Sequence, residues 1–492
     1  MRTGLLVVIL LLLFAGTSCN RNRLKLDEKS LAKNLIEEPS RGNGQDSPSA
    51  GSFSQARPGI KFQEIRTTDP SNPPVIIDVV SDRKNNGSIK SSRLFKQIQV
   101  VRIQNDESNS PLNQYSKNYL IGMRHIYQFS RFTGIRQFDM AGNLVKDICT
   151  NNVPYTQHEN GFISLNDKEY KQQFSGAVNA CFANGNLYYQ YDDRPANRSE
   201  LKMMSDANNE TYIRNNKPNI ESQHNFQTIG ETVVDFGKPA DKGFHTDQLC
   251  ILPGNQIANF PVSKSPVGNA PLLSILTTNG DTLCRFRDYD PVKNMKGRNY
   301  RSPDGSYLYS VGIHFHFKPA YNDTIFELIP PDKLAAKYIL HFGNQGVRNA
   351  TEGMDPQFNL KDKLLLQDLI ETDKYLFITY TRDYPCPNTA KQGTLKYGRL
   401  IFDKSKNEVI AIYSDEKPYT DDNQPSSWPE APEKNIINDL NGYPFFWPTG
   451  VTADNKPFAA VLGKKLLSCF KPGEAAPIQT LKENDMLIFI YK

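Results

Sequence analysis

The chain has 492 residues, with 58 Lys plus Arg against 53 Asp plus Glu and a formal net charge of +5. Its 31 Gly and 32 Pro sit near the globular average, which excludes a collagen-like or low-complexity chain. A surplus of +5 over this length makes no concentrated basic stripe, so nucleic acid is not an expected partner.

Arg2 precedes an unbroken apolar run, Leu5 to Ala15. A spanning helix needs about 20 apolar residues, so this run is too short to cross a bilayer. A short apolar core behind a basic start, ending in small residues, has the pattern of a secretory signal. That reading assigns residues 1–18 to the signal. Gly16-Thr17-Ser18-Cys19 resembles the lipobox of bacterial lipoproteins, with Gly16 where Leu is common. The resemblance implies that Cys19 is acylated and that the chain meets the membrane through this residue. Each buried methylene contributes about 0.8 kcal/mol, and two or more acyl chains anchor stably where one does not. The alternative is a plain signal peptide with a chance Cys. The expected location is the cell envelope, lipid-anchored to the outer membrane, with the side left open. Residues 19–60 are polar and rich in Ser, Gly, Asn and charge, the composition of a flexible tether.

From residue 61 to 492 the period-2 signal of strands dominates, and one β-rich domain is expected. Runs at Ile98–Ile103, Leu187–Tyr191, Tyr375–Tyr380, Val409–Tyr413 and Met486–Tyr491 are rich in Ile, Val, Tyr and Phe and bounded by turn residues. Tyr307 to Lys318 alternates throughout, which predicts a half-buried strand that is bent or interrupted at Gly312. Leu360 to Ile370 fits either a helix or a strand. Three segments repeat a strand–turn–strand pattern: Ile135–Val145 with Gly142, Leu273–Leu283 with Gly280, and Arg399–Val409 with Lys406 in place of Gly. Such a turn needs a residue at positive φ, which Gly takes at no steric cost, with Asp or Asn capping it. The anchors Phe138, Leu276 and Phe402 are separated by 138 and 126 residues. Each interval divides into three units of about 42 to 46 residues, the size of a propeller blade.

Three stretches carry a family resemblance. Arg66 to Asp78 looks like a leading segment, and Phe95–Ile103 with Ile135–Ile148 looks like a first blade. Tyr321–Phe326 with Ile437–Pro448 resembles late blades. Together they resemble the uncharacterised six-bladed β-propeller lipoproteins of the Bacteroidetes. The resemblance implies a single all-β propeller with six blades. Several turns lack the expected Gly, which leaves seven or eight blades open. The family brings no assigned activity.

Chemical candidates are few. His314 and His316 fall on one side of a strand, about 7 Å apart, and could ligate a metal if a third ligand converged. Arg124, Arg131 and Arg136 are interleaved with Tyr127, Phe129 and Phe132, a composition that ligand surfaces and strand cores share. Gly442 to Pro448 carries Tyr443, Phe445, Phe446 and Trp447, which either pack the closing blade or present an aromatic surface. Six Cys follow Cys19 without a CxxC pair, so they are free thiols or bridges in one of 15 pairings. Asp281-Thr282-Leu283 and Asp323-Thr324-Ile325 resemble an O-glycosylation acceptor, and each fits a turn into a strand equally well. Asp288-Tyr289-Asp290 offers oxygens but lacks the Gly of an EF-hand loop. No nucleophile elbow, HExxH or P-loop occurs, and no cofactor motif is found. The sequence therefore points to an exported module that binds or scaffolds a peptide, glycan or partner protein. The alternative is a propeller-type hydrolase or lyase with a metal at the channel mouth.

Overall fold

The computed structural model describes residues 62–63, 73–80, 88–104, 118–130, 133–153, 155–157, 163–165, 173–183, 185–193, 195, 198–206, 226–228, 250–252, 256–260, 271–276, 282–288, 290–292, 304–329, 332–355, 358, 360, 362–382, 394–418, 432–470 and 480–492. The segments expected to be a signal (1–18) and a tether (19–60, with Cys19) lie outside these residues, as do Arg131, Phe132, Gly280, Asp281 and Cys386.

Four strands lead: β1 (Phe62–Gln63), β2 (Val75–Asp78), β3 (Ile89–Lys90) and β4 (Ile98–Ile103). The first blade follows as β5 (Asn118–Ile121), β6 (His125–Ser130), β7 (Gly134–Asp139) and β8 (Leu144–Thr150). A small hairpin, β9 (Tyr155–Gln157) and β10 (Ile163–Leu165), precedes the second blade. That blade is β11 (Ser175–Ala183), β12 (Asn186–Asp193), β13 (Arg198–Ser205) and β14 (Phe226–Thr228). The third is β15 (Cys250–Leu252), β16 (Gln256–Asn259), β17 (Leu273–Leu276) and β18 (Thr282–Phe286). The fourth is β19 (Tyr307–Val311), β20 (His314–Lys318), β21 (Thr324–Ile329) and β22 (Lys333–His341). Helix α1 (Ala350–Met354) leads to the fifth, β23 (Leu364–Glu371), β24 (Tyr375–Arg382), β25 (Thr394–Asp403) and β26 (Glu408–Pro418). After β27 (Ile436–Ile437), the sixth blade has β28 (Gly450–Val451), β29 (Pro457–Leu462), helix α2 (Gly463–Leu467) and β30 (Met486–Tyr491). Its fourth strand is β4, paired antiparallel with β30 from Ile98↔Tyr491 to Ile103↔Met486.

Six antiparallel sheets in a ring make a six-bladed β-propeller. The first strands of neighbouring blades approach one another, β28 with β5, β5 with β11, β11 with β15 and β23 with β28, so they line the axis. The leading segment straps the rim. β1 adds in parallel to β18 of the third blade, β2 in parallel to β22 of the fourth, and β3 pairs with β27 before β4 closes the ring.

The core lies between blades. Phe260, Phe286, Phe317 and Phe326 pack the third against the fourth, and Leu366, Leu376, Ile378 and Leu400 pack the fifth against the fourth. Val101, Ile103, Phe138 and Ile488 join the sixth to the first. Full burial of each such side chain contributes about 1.5–3 kcal/mol. Among the described residues no helix is long and apolar enough to cross a membrane.

The predicted hairpins form, with two corrections. Phe138, Leu276 and Phe402 all lie on third strands, of the first, third and fifth blades. Each interval therefore spans two long blades, and the division by three does not hold. In the third repeat the left-handed residue is Asn407 (φ 54°), one position beyond Lys406. The loop is one residue longer there, and Asn replaces Gly because it tolerates positive φ. Asp139 and Asp403 cap their turns as expected, accepting from Ala141 and Asn143 and from Ser405 and Lys406. Leu364–Glu371 is strand, which resolves the ambiguous segment.

The strand expected over Tyr307–Lys318 is a hairpin. Gly312 (φ 61°) and Ile313 form its turn, and Val311 pairs with His314. The turn brings Tyr307, Tyr309, His316 and Lys318 to one face, because Tyr307 pairs with Lys318 and Tyr309 with His316. Leu308, Phe315 and Phe317 take the other face, against the third blade.

Candidate functional site at the seam between the fourth and fifth blades

The hairpin face carrying Tyr309 and His316 looks toward β23, where the carboxylate of Glu371 is fully buried. One Glu371 oxygen accepts from Tyr309 Oη at 2.9 Å and lies 2.7 Å from His316 Nδ1. The other accepts from Tyr338 Oη at 3.0 Å and Lys404 Nζ at 2.7 Å. Burial alone would raise this carboxyl, yet the contact from His316 and the charge of Lys404 hold it down to about 2. The rings of Tyr309 and Tyr338 meet His316 edge-on, at 5.7 and 6.0 Å. This hub ties two blades through one carboxylate.

A second cluster lies at the other end of the seam, where β19 starts and β20 ends. Lys318 Nζ donates to both oxygens of Asp304, at 2.7 and 2.8 Å, and both residues are buried. Tyr321 donates its backbone N–H to Asp304 Oδ2 at 2.8 Å. Tyr321 holds φ 57°, a left-handed backbone that is costly for an aromatic residue. Its ring packs where a Cβ on Gly353 of α1 would stand, 2.2 Å from Cε1, so only Gly fits there. Asp304, Lys318, Tyr321 and Asp323 line a cavity of about 10 Å³ with Phe342 and Leu365, roughly the room of one water molecule. Burial raises the Asp304 carboxyl against the opposing charge of Lys318. Burial lifts Asp323 to about 6, with Lys318 opposing and Asp304 pushing the same way. Thr324 opens β21 with its N–H on Asn322 Oδ1, an ordinary turn into a strand.

The sequence-stated candidates are not assembled into one site. His314 is exposed and lies 2.6 Å from Glu327, while His316 belongs to the Glu371 hub. The two imidazoles thus serve different carboxylates. Among the described residues no three His, Cys, Asp or Glu converge as metal ligands. Arg124 is exposed ahead of β6, whereas Arg136 is half-buried and ion-paired with Asp147 at 3.1 Å. Tyr127 and Phe129 between them are buried core. Phe445, Phe446 and Trp447 are also buried, at 1%, 0% and 1% exposure, and Tyr443 packs against the same cluster. Of the two readings offered, packing holds and the binding surface is corrected: Phe445, Phe446 and Trp447 fill the join between the fifth and sixth blades. Trp447 meets Phe377 edge-on at 5.4 Å and lies under the Arg399 guanidinium at 5.2 Å. Cys149, Cys181, Cys250, Cys284 and Cys469 are free thiols, and burial pushes Cys250 and Cys284 up to about 12. Asp288 accepts from the N–H of Asp290, which itself accepts from the N–H of Ala350 at α1.

Sequence reasoning missed the buried charges. Arg399 pairs with Glu433 at 2.8 Å, and Arg102 of β4 pairs with Asp485 at 2.6 Å. Asp206, after β13, lies 2.9 Å from His125 Nδ1 and accepts from Tyr127 Oη at 2.7 Å. Burial would raise Asp206, but the hydrogen bonds from His125 and Tyr127 hold it below its ordinary value. These pairs are separated by tens to hundreds of residues, so no local motif announces them.

The ring of six sheets defines the class of protein: a six-bladed β-propeller. The profile of the family described as Domain of unknown function (DUF4933) matches residues 57–471, and the chain belongs to that family. Among curated proteins none matches the chain. A solved structure of a DUF4221 family member from Bacteroides vulgatus is similar, at 11% identity and TM-score 0.41, covering 80% of this chain and 98% of that one. A protein of unknown function from Bacteroides thetaiotaomicron is similar at 8% identity and TM-score 0.33, covering 80% and 76%. An α-L-arabinofuranosidase from Podospora anserina, in complex with cellotriose, is similar at 10% identity and TM-score 0.24, covering 67% and 94%.

Proposed function

We propose that the protein is an exported, lipid-anchored propeller that binds or scaffolds a peptide, glycan or partner protein without covalent chemistry on it. One observation carries the reading. The buried carboxylates of Glu371, Asp206, Glu433 and Asp485 are each engaged by cationic or hydrogen-bonding side chains from other parts of the ring. Their charge is used to fix blades and strap in place, which gives a rigid frame for loops to present contacts. The anchor in this reading is Cys19, and the support for it is the lipobox-like sequence.

Affinity capture from native membranes tests the binding role. A stoichiometric partner or ligand is the expected result, and a ligand-free monomer in repeated captures would overturn it. Membrane fractionation tests the anchor: Cys19→Ala should move the protein into the soluble fraction, and unchanged membrane retention would exclude acylation there.

A hydrolase or lyase reading draws on Asp323, whose carboxyl stands in the range suited to a general acid. The cavity beside it admits about one water molecule, too little for a sugar ring or peptide.

A further inference from the structure

We propose that Lys318 and Asp304 become joined by an intramolecular amide bond between Lys318 Nζ and the side-chain carboxyl carbon of Asp304, formed without any added reagent and assisted by Asp323. The reacting atoms are already in place. Lys318 Nζ lies 2.7 and 2.8 Å from the two Asp304 oxygens, which sets the carboxyl carbon between them in near-attack range, about 3–3.5 Å. Lys318 is 1% and Asp304 6% exposed, among Phe342 and Leu364 to Leu366.

The reaction needs a neutral amine beside a carboxylic acid, which is reached by passing one proton from Lys318 to the Asp304 carboxylate that it touches. The direction in which burial moves Asp304 agrees with this transfer. The amine lone pair adds to the carboxyl carbon. The oxygen that gains charge is met by the N–H of Tyr321, already 2.8 Å from Asp304 Oδ2. The strained backbone of Tyr321 is what aims that N–H.

Asp323 lines the same cavity and keeps its proton more readily than an exposed carboxyl. It gives this proton to the departing hydroxyl, which leaves as water, and recovers one from the nitrogen. One N–C bond forms, one C–O bond breaks, and one water is released, with no change of oxidation state. The cavity has room for about that one water. The product would clamp the open end of the β19–β20 hairpin, opposite its turn at Gly312–Ile313.

Chymotryptic mapping of the full-length protein tests this. Chymotrypsin cuts after Tyr307, Tyr309 and Phe315, all of which lie between Asp304 and Lys318. The expected result is that fragments bearing the two residues stay joined, with a combined mass lower by one water. Separate fragments of unmodified mass would overturn the proposal. So would separate fragments with water lost at Asp304-Gly305 alone, which would be a cyclic imide. Lys318→Arg keeps the charge and must give separate fragments. In Asp323→Asn the joined peptide should accumulate after refolding on the order of a hundredfold more slowly. An unchanged rate in a folded variant would remove Asp323 from the reaction. If that variant does not fold, the wild-type fragment pattern still decides whether the bond exists.

Discussion

The imidazole of His316 on the fourth blade meets the carboxylate of Glu371 on the fifth at 2.7 Å, and both side chains are sealed from solvent. With Tyr309, Tyr338 and Lys404 on the same two oxygens, the carboxylate has every donor it can take. Glu371→Ala leaves these donors facing each other in a dry seam. The variant should lose roughly 3–5 kcal/mol, the cost of breaking a buried pair by removing one partner. Tyr309→Phe removes one hydrogen bond and should lose about 1 kcal/mol. Urea unfolding followed by two probes checks both, and equal losses in the two variants would contradict the hub.

The pH dependence of stability follows from carboxyls shifted in opposite directions. Burial raises Asp323 and Asp368 to about 6, above the model-peptide value of 3.8. The folded state therefore takes up their protons first, and stability rises as pH falls from about 6 toward 4. Glu371 is held down to about 2, so its contribution is present above the ordinary glutamate value and is lost as pH falls from about 4.5 to 2. Calorimetric melting temperatures should therefore peak at roughly pH 4 to 5, where these two windows meet. Asp368→Asn should flatten the fall from that peak toward pH 6. A steady rise from pH 5 to pH 8 would be inconsistent with these shifts.

Trp447 distinguishes packing from recognition. Its ring is 1% exposed, against Phe377 and Arg399. Trp447→Ala should lower stability by about 3–5 kcal/mol. A thermal melt gives the answer: an unchanged midpoint would return this aromatic loop to the surface.

Ring closure rests on β4. A chain starting after Ile103 lacks the fourth strand of the sixth blade and exposes the edge of β30. It should aggregate on size-exclusion chromatography. A chain starting after Gln63 loses, of the described strands, the two-residue β1 and should elute as a folded species. Equal behaviour of the two would place closure elsewhere.

How far the sequence reached can be seen at particular residues. Alternation found the strands, and Asp139 and Asp403 marked turns, because both signals are local. The fold of Tyr307–Lys318 was hidden by its own regularity. A two-residue turn leaves the spacing unbroken while reversing which residues share a face, and only Gly312 hinted at it. The aromatic run at Tyr443–Trp447 was undecidable, since core and binding surface use the same residue types. Glu371, Asp304 and Lys318 gave no signal, because their meaning comes from partners that topology supplies. Lys318 reads as a strand-end cation until Asp304 is placed beside it.

The rim strap also sets the order in which the molecule would yield to load. A tug arriving from the N-terminal side reaches ladders of two residues at β1, four at β2 and two at β3 before the six-residue ladder of β4. The shorter grips come first, so they can peel and re-seat like a fuse while the closing strand is spared. A ring strapped this way keeps its closing ladder until the shorter grips have given way.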